Sequence, residues 1–304
     1  MTAVTQAQCV LLTGATGFIG SHLAWHLVAA GKNVHIVVRP ESDLDQLEEL
    51  TDRIRIHVFD GKTEGLVEIM RSVAPACVYH LASLFVAEHQ PCDISPLIQS
   101  NIQFGVQLLE AMKECCISSI VNAGTSWQNF ENCRSRSSSL YAATKEAFEV
   151  FVRYFADAHR LSVITLRLFD SYGPGDKRRK LFWHLREAAR RGTQLQMSTG
   201  EQVLELVYID DLVRAFAVAG DRASIISKGT VELFRVPSLK SMSLRQIVER
   251  YAQITGRQID VAWGARQYRA REVFHPWEGD PVLPGWKPQV GLDEGIFLME
   301  KSRG

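Results

Sequence analysis

Tyr141-Ala142-Ala143-Thr144-Lys145 sets a phenol and an ammonium four residues apart, and so on one face of any helix that carries them. An ammonium beside a phenol favours the phenolate and lowers its pKa toward the range useful for proton transfer. Tyr141, tuned in this way by Lys145, can give a proton to a ketone oxygen while a hydride reaches the carbon. A third group must hold that carbonyl. The apolar run ending in Asn122-Ala123-Gly124-Thr125-Ser126-Trp127 offers Thr125 for this, with Ser126 beside it.

A hydride needs a carrier, and the first residues supply a cradle for one. The apolar run Cys9-Val10-Leu11-Leu12 breaks into Thr13-Gly14-Ala15-Thr16-Gly17-Phe18-Ile19-Gly20 and then into an amphipathic helix expected over 18–30. Gly14 allows the tight turn, Gly17 lets backbone approach a pyrophosphate, and Gly20 lets helix and strand pack closely. The helix N-terminus adds free N–H groups and positive dipole. Gly14, Thr16, Gly17, Phe18, Ile19 and Gly20 are the expected phosphate-side contacts. The second strand ends at Val38-Arg39, where an NAD-gripping protein usually carries a carboxylate. An arginine there can take a 2′-phosphate in two bonds, so NADP(H) is expected over NAD(H), with NAD(H) still possible. Asp60-Gly61 follow the third strand, near where an adenine amine would lie. Leu81-Ala82-Ser83 follow the fourth, where small residues let the chain pass under ribose and pyrophosphate.

Strand-like runs at 9–13, 33–38, 54–59, 76–80, 119–123 and 162–167 alternate with helical ones at 18–30, 44–50, 64–72, 97–115 and 140–159. Short apolar strands with crossover helices predict an α/β fold built on a doubly wound parallel Rossmann sheet. Ser137-Ser138-Ser139 is placed to cap the helix bearing Tyr141. After Arg167 the rhythm changes. Gly173-Pro174-Gly175-Asp176 is a turn, Lys177-Arg178-Arg179-Lys180 opens a helix running to about Gly192, 203–207 resembles a strand and 210–219 a helix. The expected division is a dinucleotide-binding domain over 1–170, to which 203–222 returns. A smaller, sequence-interleaved C-terminal substrate lobe takes 171–202 and 223–304. Substrate should sit between the two, at the carboxyl ends of the strands.

Composition narrows the class. Lys+Arg and Asp+Glu cancel at 34 each over 304 residues, so no global field favours nucleic acid or an anionic membrane. No apolar run approaches the ~18 residues of a membrane helix. The glycine loop starts too near Met1 for a signal peptide before the first strand. Cys9, Cys77, Cys92, Cys115, Cys116 and Cys133 form no C-x-x-C pair, and neither they nor His80, His89 and His184 have metal-ligand spacing. A cytoplasmic protein with reduced thiols and no metal is expected.

Taken together, the glycine loop, the Thr125 strand end and the Tyr141–Lys145 pair resemble the extended short-chain dehydrogenase/reductases of the nucleotide-sugar type, the NAD-dependent epimerase/dehydratase family. The likeness extends through Asn101, Arg167-Leu168-Phe169-Asp170-Ser171-Tyr172-Gly173-Pro174-Gly175, Tyr208-Ile209-Asp210-Asp211 and Leu283-Pro284-Gly285-Trp286-Lys287-Pro288. The short Thr125–Tyr141 spacing and the ending are most similar to CDP-abequose synthase-like 4-ketoreductases. The resemblance implies Thr125, Tyr141 and Lys145 as catalytic residues and Phe169 as a further cofactor contact. Ser126 and Trp127 are expected substrate contacts, with Trp127 stacking on a sugar face unless it packs in the core; Arg269 or Arg271, or Arg178 and Lys180 of the 177–180 cluster, can supply the two or more cations a diphosphate needs. Dehydratases of this family carry Asp-Glu directly after the threonine, decarboxylases a Glu and epimerase/reductases a Cys. Ser126-Trp127 matches none of these, which leaves simple reduction of a nucleotide-linked 4-keto-6-deoxy sugar. A 4-epimerase with tightly held NAD(P) and a non-catalytic NADP(H) sensor are the alternatives. Leu204 stands where the family usually has an arginine for the substrate diphosphate. A homodimer through the 97–115 and 140–159 helices is a further implication.

Overall fold

Runs of Val, Ile and Leu become the strands of a parallel sheet in the computed structural model, which describes residues 8–302. The expected domain ends at 1–7 and 303–304 lie outside the described residues. Along the chain follow β1 (Cys9–Thr13), α1 (Phe18–Ala29), β2 (Asn33–Val38), β3 (Ile54–Val58), α2 (Thr63–Val73), β4 (Cys77–His80), α3 (Ile94–Ile98), α4 (Phe104–Glu114), β5 (Ser119–Thr125), α5 (Leu140–His159) and β6 (Ser162–Leu168). The later part holds β7 (Asp170–Tyr172), α6 (Leu181–Arg191), β8 (Leu195–Met197), β9 (Val203–Leu204), β10 (Leu206–Tyr208), α7 (Ile209–Ile225), β11 (Val231–Val236), β12 (Met242–Ser243), α8 (Leu244–Thr255), β13 (Val261–Trp263) and α9 (Leu292–Lys301).

The seven-stranded sheet has the order β11-β6-β5-β4-β1-β2-β3, every neighbouring pair parallel. Chain order reverses between β1 and β4. That switch point opens a crevice above Thr13 and His80, where ligands of such sheets bind. One face is covered by α1 and α7 through Leu23, Leu27, Leu212 and Phe216. The other is covered by α2, α4 and α5 through Leu66, Met70, Leu108, Met112, Phe148 and Val152. This is the expected Rossmann sheet, with both faces buried.

Five expectations are corrected. The segment 231–236, assigned to the substrate lobe, is strand β11 and pairs with β6 from Val231↔Val163 to Val236↔Leu168. There it covers what would otherwise be an open edge of the main sheet. The 44–50 helix is a 3-10 turn, Asp45–Leu50. The 97–115 helix starts at Ile94 and is widened by a π turn, Gln99–Gln103, which contains Asn101. Lys177–Lys180 precede α6 and are not its first turn. The run 203–207 splits between two small sheets, β9 pairing antiparallel with β12 and β10 parallel with β7. A third small pair joins β8 to β13.

Candidate functional site

The crevice at the switch point is shaped by backbone. Gly14 has φ +74°, and a Cβ there would lie 2.5 Å from Ala82 N, so β1 and the segment after β4 touch at this residue. A Cβ on Gly20 would lie 2.1 Å from Gly14 O, so α1 packs on the turn itself. Gly17 differs. A Cβ there would meet only Gly14 O, at 3.4 Å, and the space in front of it is otherwise open. Gly17 is also the N-cap of α1, with no side chain capping the helix, so the first-turn N–H groups remain for a ligand. Thr16 and Ile19 are half-buried on the same turn. Thr13 Oγ1 meets His80 Nδ1 at 2.9 Å and accepts from Ala82 N–H at 3.3 Å, joining the two strands at the switch. These residues fit a dinucleotide pyrophosphate.

Around the crevice the remaining expected contacts fall as follows. Phe59 N–H donates to Val38 O at 2.8 Å, bringing Arg39 beside the Asp60-Gly61 turn. Arg39 is exposed and, among the described residues, is paired only with Glu41, at 3.2 Å. Asp60 Oδ1 accepts from Lys62 N–H at 2.9 Å, turning its carboxylate toward the start of α2. Leu81 and Ala82 are half-buried under the loop, and Ser83 donates to Asn101 Oδ1 at 3.1 Å.

Tyr141, Lys145 and Thr125 are brought together. Ser139 caps α5, accepting from Ala142 N–H at 3.2 Å, and α5 carries the phenol and ammonium on the side facing the end of β5. The Ser83 and Thr125 hydroxyls lie beside the Tyr141 phenol and favour its ionised form. Burial nevertheless pushes the phenol up to about 12. The shift is opposite to the lowering expected from Lys145: loss of water, joined by the Asp170 carboxylate, outweighs the Ser83 and Thr125 hydroxyls. Burial likewise pulls the Lys145 ammonium down to about 8, opposed by the carboxylate of Glu149. The buried His80 imidazole is pushed down to about 3 by burial and by Lys145, and is neutral.

Beside this trio, bordered by its neighbours Ser126, Leu140 and Ala143, opens a cavity of about 900 Å³. Ser126, Trp127, Arg178, Lys180, Arg269 and Arg271, the six expected substrate contacts, all line it, as do Phe169 and Leu204. The cations are not equivalent. Arg178 is spent on the fold: Nη2 donates to Ser171 O and to Asp176 Oδ2, both at 2.8 Å, while its guanidinium lies 4.3 Å from the Phe18 ring centre. Lys180 pairs with Asp170 at 2.7 Å. Burial pushes the Asp170 carboxyl up, but Lys180, Arg178 and Arg269 together hold it below the usual carboxylate range. Arg269 lies 5.7 Å from the Trp127 ring centre and 3.8 Å from Glu88. Arg271 lies 4.5 Å from the Phe130 ring centre and has no carboxylate partner among the described residues.

Several site residues were not singled out by sequence. Phe85 packs edge-on against Tyr141 at 5.0 Å and against Trp127 at 5.5 Å, an aromatic wall at the phenol end of the cavity. No local pattern marks it. Asn101 was noted only as part of a likeness. Buried in the π turn, it accepts from Leu84 N–H at 2.7 Å and donates to Thr144 Oγ1 at 2.9 Å, tying the loop after β4 to α5. Its position in a distorted helix, a frequent mark of functional sites, is visible only in three dimensions. Among the described residues, no three His, Cys, Asp or Glu side chains gather to hold a metal. No described helix is long and apolar enough to cross a membrane.

Comparison with known proteins agrees with this geometry. Residues 10–232 match the NAD dependent epimerase/dehydratase family. CDP-abequose synthase of Salmonella typhimurium is 24% identical over 299 residues, covering 95% of this chain and 96% of that protein. UDP-glucose 4-epimerase of Mycolicibacterium smegmatis is 25% identical, covering 96% and 99%. Among solved structures, MoeE5 in complex with UDP-glucuronic acid and NAD superposes with a TM-score of 0.80 at 26% identity, covering 97% of this chain and 98% of that one. With the switch-point crevice, the Tyr-Lys helix and a family match over most of its length, the chain belongs to the NAD dependent epimerase/dehydratase family, the extended short-chain dehydrogenase/reductases.

Proposed function

We propose that this protein is an NADPH-dependent ketoreductase acting on a nucleotide-linked 4-keto-6-deoxy sugar. The observation that carries this reading is the adjacency of the Thr125 and Tyr141 hydroxyls, with Lys145 on the same helix, beside a cation-lined cavity bordered by their neighbours Phe85, Ser126 and Leu140. A phenol pushed up to about 12 keeps its proton at neutral pH and is suited to donate it to a ketone oxygen. Thr125 orients that oxygen, and the Lys145 ammonium stabilises the charge that develops as the proton leaves. NADPH, when bound, supplies the hydride. The Gly14–Gly20 turn and α1 hold its pyrophosphate, and Arg39 takes the 2′-phosphate. An exposed pair such as Arg39–Glu41 is worth little, so a phosphate dianion can displace the carboxylate.

Phe85 and Trp127 present an apolar surface beside the phenol, which suits a deoxygenated carbon next to the reacting centre. Arg269 and Arg271 take the place of the arginine missing at Leu204 and hold the diphosphate, a charge that needs two or more cations. Val150, Phe151 and Tyr154 of α5 are 54%, 38% and 59% exposed, and Ile94 and Ile98 of α3 are 46% and 41% exposed. This apolar stripe is the face we propose for a homodimer.

The test is titration with NADPH and NADH, followed by addition of an enzymatically made 4-keto-6-deoxy nucleotide sugar while nicotinamide absorbance is followed. Oxidation of NADPH that vanishes in Tyr141→Phe supports the reading. Tight NADPH binding without oxidation removes the proposed substrate. Cofactor retained through purification, with interconversion of C4 epimers, favours an epimerase, and a biological activity untouched by Tyr141→Phe favours a sensor.

A further inference from the structure

Between the end of β5 and the helix that carries Tyr141, one buried amide makes the connection. Gln128 is wholly buried and closes the 3-10 turn Ser126–Gln128 that follows Thr125. Its Oε1 accepts from the Thr125 N–H at 3.0 Å. Its Nε2 donates to Glu146 Oε2 at 2.8 Å and to Glu149 Oε1 at 3.0 Å, both on α5. Only this orientation satisfies both sides, since a backbone N–H can meet only the amide oxygen and two carboxylates only the NH₂. Within the same turn, Thr125 Oγ1 accepts from Trp127 N–H at 3.3 Å, so backbone and side chain of Thr125 are both fixed.

The far side of the amide is anchored. Glu149 forms a two-bond pair with Arg167 at the end of β6, one bond being 2.9 Å, and both side chains are 3% exposed. Arg167 Nε lies 3.5 Å from Asp280 Oδ2. Asp280 in turn accepts from Trp277 Nε1 at 2.7 Å and from Arg134 at 2.9 Å. A glutamate held in this way cannot follow Gln128, so the amide has one position and Thr125 with it. Arg167 Nε makes no hydrogen bond of its own, but both polar atoms of the Gln128 amide are partnered, and buried polar groups satisfied in this way are held rigidly.

Building on the ketoreductase reading, we propose that Gln128 is a positioning residue, locking the end of β5 to α5 so that Thr125 Oγ1 stays aimed at the Tyr141 hydroxyl. Its substitution acts on turnover through Thr125 and not on ligand binding. A purely structural cap would instead lower thermal stability and leave the kinetics of the folded enzyme as they were.

Two measurements on Gln128→Met, which keeps the volume and removes the bonds, decide this. Amide hydrogen exchange of the full protein reads the lock directly and needs no substrate. We expect exchange at 125–128 to rise at least tenfold while 119–122 keep their protection. Unchanged exchange at 125–128 overturns the proposal. Kinetics with NADPH and the 4-keto-6-deoxy nucleotide sugar read the consequence. We expect kcat to fall about tenfold with KM and NADPH affinity within twofold of the unmodified enzyme, and the double variant Thr125→Val/Gln128→Met to be no slower than Thr125→Val alone. Multiplying effects in the double variant, or an unaltered kcat, overturn it. If the unmodified protein oxidises no NADPH with this sugar, the function reading falls and exchange alone still decides the lock. Should Gln128→Met not fold, Glu146→Gln loosens the same amide from a half-buried position, with the same expectations at smaller size.

Discussion

The crevice at the switch point and the cavity above it are built by opposite means. The crevice is backbone: Gly14, Gly17 and Gly20 shape it by lacking side chains, and Thr13 and His80 close it from below. The cavity is side chain: long cations from the segments before α6 and after β13, several already paired to Asp170, Asp176 and Glu88. A site made by packing of backbone cannot vary without damage to the fold. One made by charged side chains on connecting segments can be retuned for a different ligand.

Chemistry at the seam between them has the largest expected effect. Tyr141→Phe should lower kcat by about 10²–10⁴-fold, the range for a positioned general acid, while NADPH affinity, measured by fluorescence titration, stays the same. Weakened NADPH binding would mean the phenol belongs to the crevice more than to the reaction. Within the crevice, Gly20→Ala and Gly17→Ala should separate. The first drives a Cβ to 2.1 Å from Gly14 O and should cost about 1–3 kcal/mol, as overpacking does, seen as a lower Tm. The second meets only one atom, at 3.4 Å, and should keep Tm while weakening NADPH binding. Equal losses of Tm would erase the distinction between the turn and the ligand's space.

In the cavity, Arg271→Ala should raise KM for the nucleotide sugar about tenfold, equivalent to ~1.4 kcal/mol, with kcat nearly constant. Leu204→Arg should sharpen the contrast by tightening substrate further. A change in kcat with KM fixed would place Arg271 at the reacting end.

Acidity separates the regions again. Lys145, pulled down to about 8, should lose its ammonium as pH rises through 8, so turnover should decline on the alkaline side. His80 in the crevice is pushed down to about 3, and His35 and His57 are lowered by burial. Below an unfolded pKa of ~6.5 the unfolded chain binds more protons than the folded one. Stability is therefore full above pH 6.5 and falls as pH drops toward 3. A Tm that stays flat from pH 7 to 4 would contradict neutral buried imidazoles. The smallest effect on the monomer's fold is expected from Val150→Asp, at a 54% exposed position. It should leave Tm of the folded unit nearly intact and shift sedimentation from dimer to monomer.

What was legible in the sequence follows from local causes. Periodicity and glycine spacing announced the parallel sheet, the β1–α1 turn and the helix of Tyr141 and Lys145, because strands, turns and one helical face are set by neighbouring residues. The cations of the substrate cavity were nameable from the likeness, but not their state. Arg178 is tied to Asp176, Ser171 and Phe18, and only folding brings Phe18 to it from 160 positions earlier in the chain.

Long-range contact decided the remainder. Phe148, Val152 and Phe155 went to the sheet and Phe151 and Tyr154 to the surface, a division that the composition of α5 leaves open. β11 was assigned to the main sheet by pairing with β6, and a strand edge has no signature in its own residues. The phenol rose to about 12 because burial is a property of everything packed around it. Motif spacing reports which groups can act together. Desolvation, and the bonds that aim them, exist only once distant segments have met.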